Sequence, residues 1–546
     1  MEVDDLGAEP GSGRSRPVLS FARIGPLISA LAAIAAIAAI AAALLQVPGF
    51  NGPAEWRWPY RPIGLVPFPA LAALLFAGAL VALLLYGPSR RRGAFCLALA
   101  GYGFSLSLIA AQPNGFGRVV SVLASRHSFS YLYDATLAPP TRALLDDFPA
   151  ASAELSMHSR THPPGVLLAI RGLDDVARTL GPAAALRAPL PKKAAEAMAA
   201  EISRARERGK PVPAIPPSPL TAVLLAFLLP LAAAATALPL YSLAVGWGLS
   251  DGAARLAAAL WLTVPAGILF TPSIDQALAG FVVVGAALAV RAGRHSSLRH
   301  FEREREIWGR RGTNPDAAKG FKATHPPDPS LPLGMTAGGW RALLAGVVVG
   351  IGCLISYGLF VAAPFVAWVA FSAGEDSGWL APRRFFRAAL VGAGFAIPFV
   401  ALALLCGYDP WASFRTAISA HREMAVATRS YATWLFGNPY DFALFCGPAV
   451  AVLGLAGPFI ARGPAGLKRG LLGGAALFAL LWLSGSVRGE VGRIWLFAMP
   501  FAALSAAYAA SGIDSGEPSR PSLRALLVAA QALTAIAFAA SMIFVD

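Results

Sequence analysis

Charge is what this chain is short of. Of its 546 residues only 14% are Asp, Glu, Lys or Arg, while 56% carry apolar side chains. Soluble domains average about 25% charged residues, so the composition excludes an ordinary soluble protein and points to an all-α polytopic membrane protein. Cysteine is almost as scarce. The four present (Cys96, Cys353, Cys406, Cys446) lie in or beside apolar runs with no Cys-x-x-Cys or Cys/His spacing, which argues against a disulfide framework or a zinc centre. Acidic residues are outnumbered, 30 against 45 Lys and Arg, for a net charge of +15. In a membrane protein such an excess marks cytoplasmic loops, and no basic–aromatic interleaving suggests a nucleic-acid partner. Internal repeats are missing too, including the half-to-half symmetry of many secondary transporters.

What is abundant is apolar sequence long enough to span a bilayer. About thirteen runs qualify, at 25–46, 64–86, 93–112, 220–243, 252–270, 275–291, 340–356, 358–372, 388–406, 441–461, 468–486, 494–511 and 523–544. The expected organisation is a cytoplasmic tail (1–24), an N-terminal transmembrane hairpin (25–92), a core module (93–291) holding a large loop (113–219), a cytoplasmic linker (292–339) and a C-terminal module (340–546). The first run follows Arg14, Arg16 and Arg23 and reads as a start-anchor helix rather than a cleaved signal. With thirteen crossings, the basic clusters at 291–322, Arg383-Arg384-Arg387, Arg462/Lys468/Arg469 and Arg520/Arg524 all fall on the cytoplasmic side. That holds only if the segment after His162 does not cross. It contains Arg171, Asp174, Asp175 and Arg178, each costing about 2.5–3.5 kcal/mol at mid-bilayer, so an amphipathic helix on the outer surface is expected. Residues 187–210, although basic, then lie outside with the rest of the loop.

Within that loop stands Thr161-His162-Pro163-Pro164-Gly165. Two prolines exclude the α conformation before them yet can open a helix, so the segment sets an imidazole on a rigid elbow. A second His-Pro-Pro, at His325 in the linker, has no apolar helix behind it and reads as coincidence. Candidate general bases on the same side are Asp134, Asp146 and Asp147, the last two looking like a turn before Phe148-Pro149. Any such carboxylate could instead hold a divalent cation (Mg or Mn) on a phosphate. His158, Arg160 and His162 are candidate substrate ligands. Arg488, Glu490 and Arg493 sit in a short outer loop, where the guanidinium fork suits a lipid phosphate; snorkelling to head groups is the alternative. Arg415, Arg422 and Arg429 are similar but less sharply placed. Asp275 opens a span, as a functional acid or as part of a helix cap.

At His162-Pro163-Pro164-Gly165 the chain resembles the C-type (GT-C) membrane glycosyltransferases, among them dolichyl-phosphate-mannose protein mannosyltransferases, aminoarabinose transferases and the RgtA/B/C/D-like group. Those carry a His/Lys-Pro-Pro-Leu/Gly element in their first large external loop. The resemblance extends to the turn 271–275, to the glycine-rich helix holding Gly346, Gly350 and Gly352, and to Arg488-Gly489-Glu490-Val491-Gly492-Arg493. It implies a GT-C-like bundle with juxtamembrane helices in the large first loop, in a bacterial-type plasma membrane with the active face outward. It further implies a polyprenyl-phosphate-linked sugar donor, a lipid, glycan or protein acceptor, inverting transfer, and an acidic base in that loop. The family's acidic pair shortly after the preceding span has no counterpart between Gln112 and Ser130, which leaves Asp134 first and Asp146-Asp147 second. A lipid or polysaccharide transporter, or a non-catalytic envelope assembly protein, are the competing readings.

Overall fold

All thirteen apolar runs fold mainly as helix in the computed structural model, which describes residues 21–181, 189–310, 337–373, 380–460, 463–513 and 521–544. The tail to residue 20, most of the linker with His325, and Arg462 and Arg520 lie outside the described residues. Among the described residues, eight helices are long and apolar enough to cross a membrane, or nine if one bent pair is a single span. Three shorter apolar helices (Gly338–Cys353, Tyr357–Ser372 and Leu496–Ser511) match three further runs. The chain is an integral membrane protein.

Two expected straight spans are broken, each for a local reason. The 252–270 run divides into Asp251–Leu262 and Pro265–Leu269, because Pro265 offers no N–H to continue the ladder. The 441–461 run straddles the bend of a helix pair, Tyr431–Cys446 and Pro448–Ile460, folded by 107°. Gly447 sits at the bend with φ +94°, a conformation open to glycine alone at little cost. The basic cluster Arg383-Arg384-Arg387 also departs from a simple cytoplasmic loop. Arg384 and Arg387 are buried and donate to the carbonyls of Phe371, Ala370 and Ala373, closing the C-terminus of Ala362–Ser372.

Small residues let the helices close on one another. A Cβ on Gly346 would stand 2.0 Å from the Val391 carbonyl oxygen, and one on Gly394 the same from that of Leu343. The backbones of Ala337–Cys353 and Pro382–Cys406 therefore touch, as small-residue faces allow in membranes.

The N-terminal hairpin is part of this body rather than an appendage. Phe21–Leu44 packs on Pro448–Ile460 and Pro521–Ser541. The turn after it pairs with the chain's C-terminal end, through Arg61 N to Ser541 O (2.9 Å) and Ile543 N to Pro59 O (2.9 Å).

The large loop is a cap of short helices: Gly115–Leu123, Tyr131–Leu137, Thr141–Asp146, Phe148–Ala153, Met157–Arg160, Gly165–Thr179 and Pro189–Glu207. Three of the four charges that argued against a crossing after His162 tie this cap together. Arg171 donates to the carbonyls of Ala135 and Ala138, at the end of Tyr131–Leu137. Asp174 accepts from Ser218 N (2.7 Å) and Thr221 Oγ1 (2.6 Å), capping the next span, and pairs with Arg178 at 2.7 Å. The basic helix Pro189–Glu207 joins the same cap, since Tyr133 donates to the Met198 carbonyl (2.9 Å) and Arg126 to that of Pro211 (2.8 Å).

Candidate functional site

The elbow works by close approach. Pro163 and Pro164 are buried, and Pro164 holds φ −64° ahead of the helix Gly165–Thr179. Gly165 donates its N–H to the Leu354 carbonyl at 2.8 Å, and a Cβ there would fall 2.1 Å from that same oxygen. The glycine thus locks the cap helix to the end of Ala337–Cys353, and His162 is aimed from that anchor.

His162 Nδ1 lies 2.9 Å from the His158 carbonyl, 3.1 Å from Tyr131 Oη and 3.2 Å from Thr161 Oγ1. A carbonyl only accepts, so Nδ1 carries the proton and Nε2 keeps its lone pair. Nε2 meets no partner among the described residues. Burial, beside His158, Arg493 and His421, pushes the imidazole down to about 4, so it is neutral near pH 7 and accepts rather than donates a hydrogen bond at Nε2. His158 is turned aside, its Nε2 3.1 Å from the His127 carbonyl. Arg160 has a buried Nε without a partner.

The turn before Asp275–Arg310 caps itself. Gln276 Nε2 donates to Gly267 O and Thr271 Oγ1, both 2.8 Å, while its Oε1 accepts from Ser273 N at 3.3 Å. Ser273 Oγ donates to Asp275 Oδ2 at 2.7 Å. Capping is therefore divided among Ser273 and Gln276, and Asp275 Oδ1 is left without a partner among the described residues.

The third component is the 485–493 loop. Gly489 (φ +88°) and Glu490 (φ +58°) both take left-handed conformations, strained for glutamate. Its carboxylate is held from two sides, by Arg429 at 2.8 Å and Arg493 at 3.0 Å. Burial opposes ionisation of Glu490, but the two arginines outweigh it and hold its carboxyl below the usual range. Arg493 remains charged for the complementary reason: burial is outweighed by Glu490, Asp275 and Tyr131. Its side chain keeps 33% of its surface open, and among the described residues only one nitrogen is engaged, on Glu490. Asp275 and Arg493 feel each other's charge without closing into an ion pair. Tyr131 and His162 stand close to this pair, since Tyr131 feels the charge of both and His162 that of Arg493.

The structure thus gathers His162, His158, Asp275, Glu490 and Arg493, and places four expected residues elsewhere. Asp134 is fully buried. Its Oδ2 accepts from Ser156 N (3.1 Å), Ser159 Oγ (2.7 Å) and Ser156 Oγ, so it staples Tyr131–Leu137 to Met157–Arg160, while its Oδ1 is buried without a partner among the described residues. Asp147 caps Phe148–Ala153 through Ala150 N at 3.1 Å, and the neighbouring Asp146 faces Gly407. Arg488 donates to the carbonyls of Gly485 (3.2 Å), Val426 (2.8 Å) and Arg429 (2.7 Å) and lies over the Tyr431 ring; it builds the loop rather than facing a ligand. As for a divalent cation, no group of three or more His, Cys, Asp or Glu stands together among the described residues.

Other side chains hold the site from a distance. Asp441 accepts from Gly492 N (2.9 Å) and from Trp58 Nε1 (3.1 Å), and Asn438 clasps Gly489 N (3.0 Å) and Val487 O (2.7 Å). Glu55 accepts from Ser430 N, Thr433 Oγ1 and Trp434 Nε1 at 3.0–3.1 Å, and Arg429 lies over the Trp56 ring. An acid inside an apolar run, Asp441, was the available sequence signal.

No family model matches this chain, and no curated protein does either. Among solved structures it is similar to two of the Archaeoglobus fulgidus oligosaccharyltransferase. One is a complex with Zn and sulfate (15% identity, 86% of this chain and 53% of that one, TM-score 0.42). The other is tethered by a disulfide to an acceptor peptide containing the NVT sequon (14% identity, 87% and 55%, TM-score 0.35). The chain spans about half the length of these structures.

Proposed function

We propose that the protein is an integral-membrane glycosyltransferase that moves a sugar from a polyprenyl-phosphate donor to an acceptor hydroxyl at the capped, extracytoplasmic face. The observation that supports this is the approach of Asp275 and Arg493, whose charges act on each other although no ion pair joins them among the described residues. It brings a carboxylate and a guanidinium together at the end of a membrane helix.

In the reaction, Asp275 Oδ1 takes the proton of the acceptor hydroxyl as its oxygen attacks C1 of the sugar. The bond from C1 to the phosphate oxygen breaks, and its electron pair leaves on the polyprenyl phosphate. Arg493 faces that growing charge with its free N–H groups, where a preorganised donor is worth about 2.7–4 kcal/mol. Glu490 keeps Arg493 aimed; His162 Nε2 accepts a hydrogen bond from a sugar or acceptor hydroxyl. No step is assigned to a divalent ion, and neither the donor sugar nor the acceptor class is specified by these residues.

The test is transfer of a labelled sugar from a panel of polyprenyl-phosphate donors by membranes holding the wild type, Asp275→Asn or Arg493→Gln. Transfer by the wild type and its loss in both variants supports the reading. Absence of transfer with every donor, together with lipid movement across protein-bearing vesicles, overturns it in favour of a transporter.

A further inference from the structure

Two membrane spans, Arg90–Ala111 and Asp275–Gly293, carry arginine at the end away from the cap. Asp275 and Arg291 lie on one helix, sixteen residues or about 24 Å apart. Arg90–Ala111 spans about 33 Å, from Arg90-Arg91-Arg92 to the turn that leads into the cap. Between these far ends opens a cavity of about 830 Å³ lined by Ser89, Arg90, Arg91, Arg92, Tyr241 and Arg291. A bilayer core is about 30 Å thick, so this cavity lies at the membrane face opposite the site.

Among the described residues, the charge in this cavity is not neutralised. The nearby acid is Asp251, and it is already engaged: Arg255 pairs with it at 3.0 Å, Tyr241 donates at 2.7 Å and the Arg90 backbone N–H at 2.9 Å. Arg91, Arg92 and Arg291 have no carboxylate partner among the described residues. Three guanidinium groups thus converge on one space, at the N-terminus of a long helix whose dipole adds to the positive potential. Guanidinium forks match phosphate oxygens. The volume exceeds what a bare phosphate fills, and Val245 and Gly246 supply an apolar wall, as a head group continuing into a glycerol backbone requires.

We propose that this cavity is a binding site for the phosphate of an anionic phospholipid head group in the leaflet opposite the candidate transfer site. The test uses the full-length chain, purified and reconstituted in phosphatidylcholine nanodiscs, with fluorescent phosphatidic acid as probe. Saturable binding that phosphatidylcholine does not match is expected. Combined Arg91→Gln, Arg92→Gln and Arg291→Gln should weaken it about 150-fold, at about 1 kcal/mol per arginine near a charged surface. The corresponding triple lysine variant keeps the charge and should stay within a few-fold of wild type, with the melting temperature of each variant reporting the fold. Equal binding by the glutamine variant, or no preference over phosphatidylcholine, overturns the proposal. Displacement of the probe by millimolar inorganic phosphate assigns the cavity to a soluble phosphate compound and overturns the lipid.

Discussion

Replacing Gly165 with alanine tests the elbow at a single atom. The new Cβ would lie 2.1 Å from the Leu354 carbonyl oxygen, and backbone carbonyls cannot swing aside as a side-chain tip can. To reach an ordinary contact the helix Gly165–Thr179 must retreat by about 1 Å, which breaks the 2.8 Å Gly165 N–H to Leu354 bond. Losing that bond costs about 0.5–1.5 kcal/mol, and forcing the extra atom into packed structure costs about 1–3 kcal/mol. The sum is about 2–4 kcal/mol of stability. Gly172, on the same helix, is the control, because a Cβ there meets nothing within 4 Å. Its replacement with alanine should stabilise by about 0.5–1 kcal/mol through helix propensity. Thermal unfolding in detergent, run alongside transfer activity, distinguishes the two. Gly165→Ala should melt lower and lose activity, as a misplacement near 1 Å can cost about 100-fold in rate; Gly172→Ala should do neither. Equal melting temperatures and equal activities for the two alanine variants would refute the close-approach argument.

Other consequences follow from the same geometry. Because His162 is depressed to about 4 against about 6.5 unfolded, the unfolded chain binds the extra proton between those values. Stability should therefore fall as pH drops from about 6.5 towards 4, by at most about 3 kcal/mol, and His162→Asn should flatten that slope in pH-dependent melting curves. Glu490→Gln should destabilise by about 3 kcal/mol by leaving Arg429 and Arg493 partly buried without their anion. Asp134→Ala should cost about 2–4 kcal/mol by stranding Ser156 and Ser159, yet the fraction that folds should retain turnover, which assay of the purified folded material checks. Asp441→Asn should lower kcat through the 491–493 segment with little change in KM; an unchanged kcat would remove Asp441 from the positioning of Arg493.

Much of this arrangement was legible in the sequence, and the limits have physical causes. Apolar run length located the helices, and the four charges after His162 placed that segment in a surface cap, because unpaired charge is costly in lipid whatever the fold. The breaks at Gly447 and Pro265 were less visible, since hydropathy does not register a turn inside an apolar run. His162, Asp275, Glu490 and Arg493 stood out because each is a polar group next to apolar sequence. Asp134 and Arg488 stood out for the same reason, and the structure gives both of them partners within the protein. A sequence shows that a carboxylate or guanidinium exists, but not that two serines already bind one oxygen of the first or that three carbonyls hold the second. Tyr131, Asp441, Trp58 and Glu55 reach the site or its supports over long chain separations, up to 383 residues between Trp58 and Asp441, which no local pattern reports. The N-terminal hairpin seemed an addition to a shared core, whereas its loop braces the helix that positions Arg493.

The measurement that bears most directly on the central claim is the single-turnover rate of Asp275→Asn with a bound polyprenyl-phosphate sugar. Loss of the base should slow sugar transfer by about 100- to 10,000-fold while the variant still binds the donor and melts with the wild type. Transfer within a few-fold of the wild-type rate would contradict the account and return the search for the base to another residue.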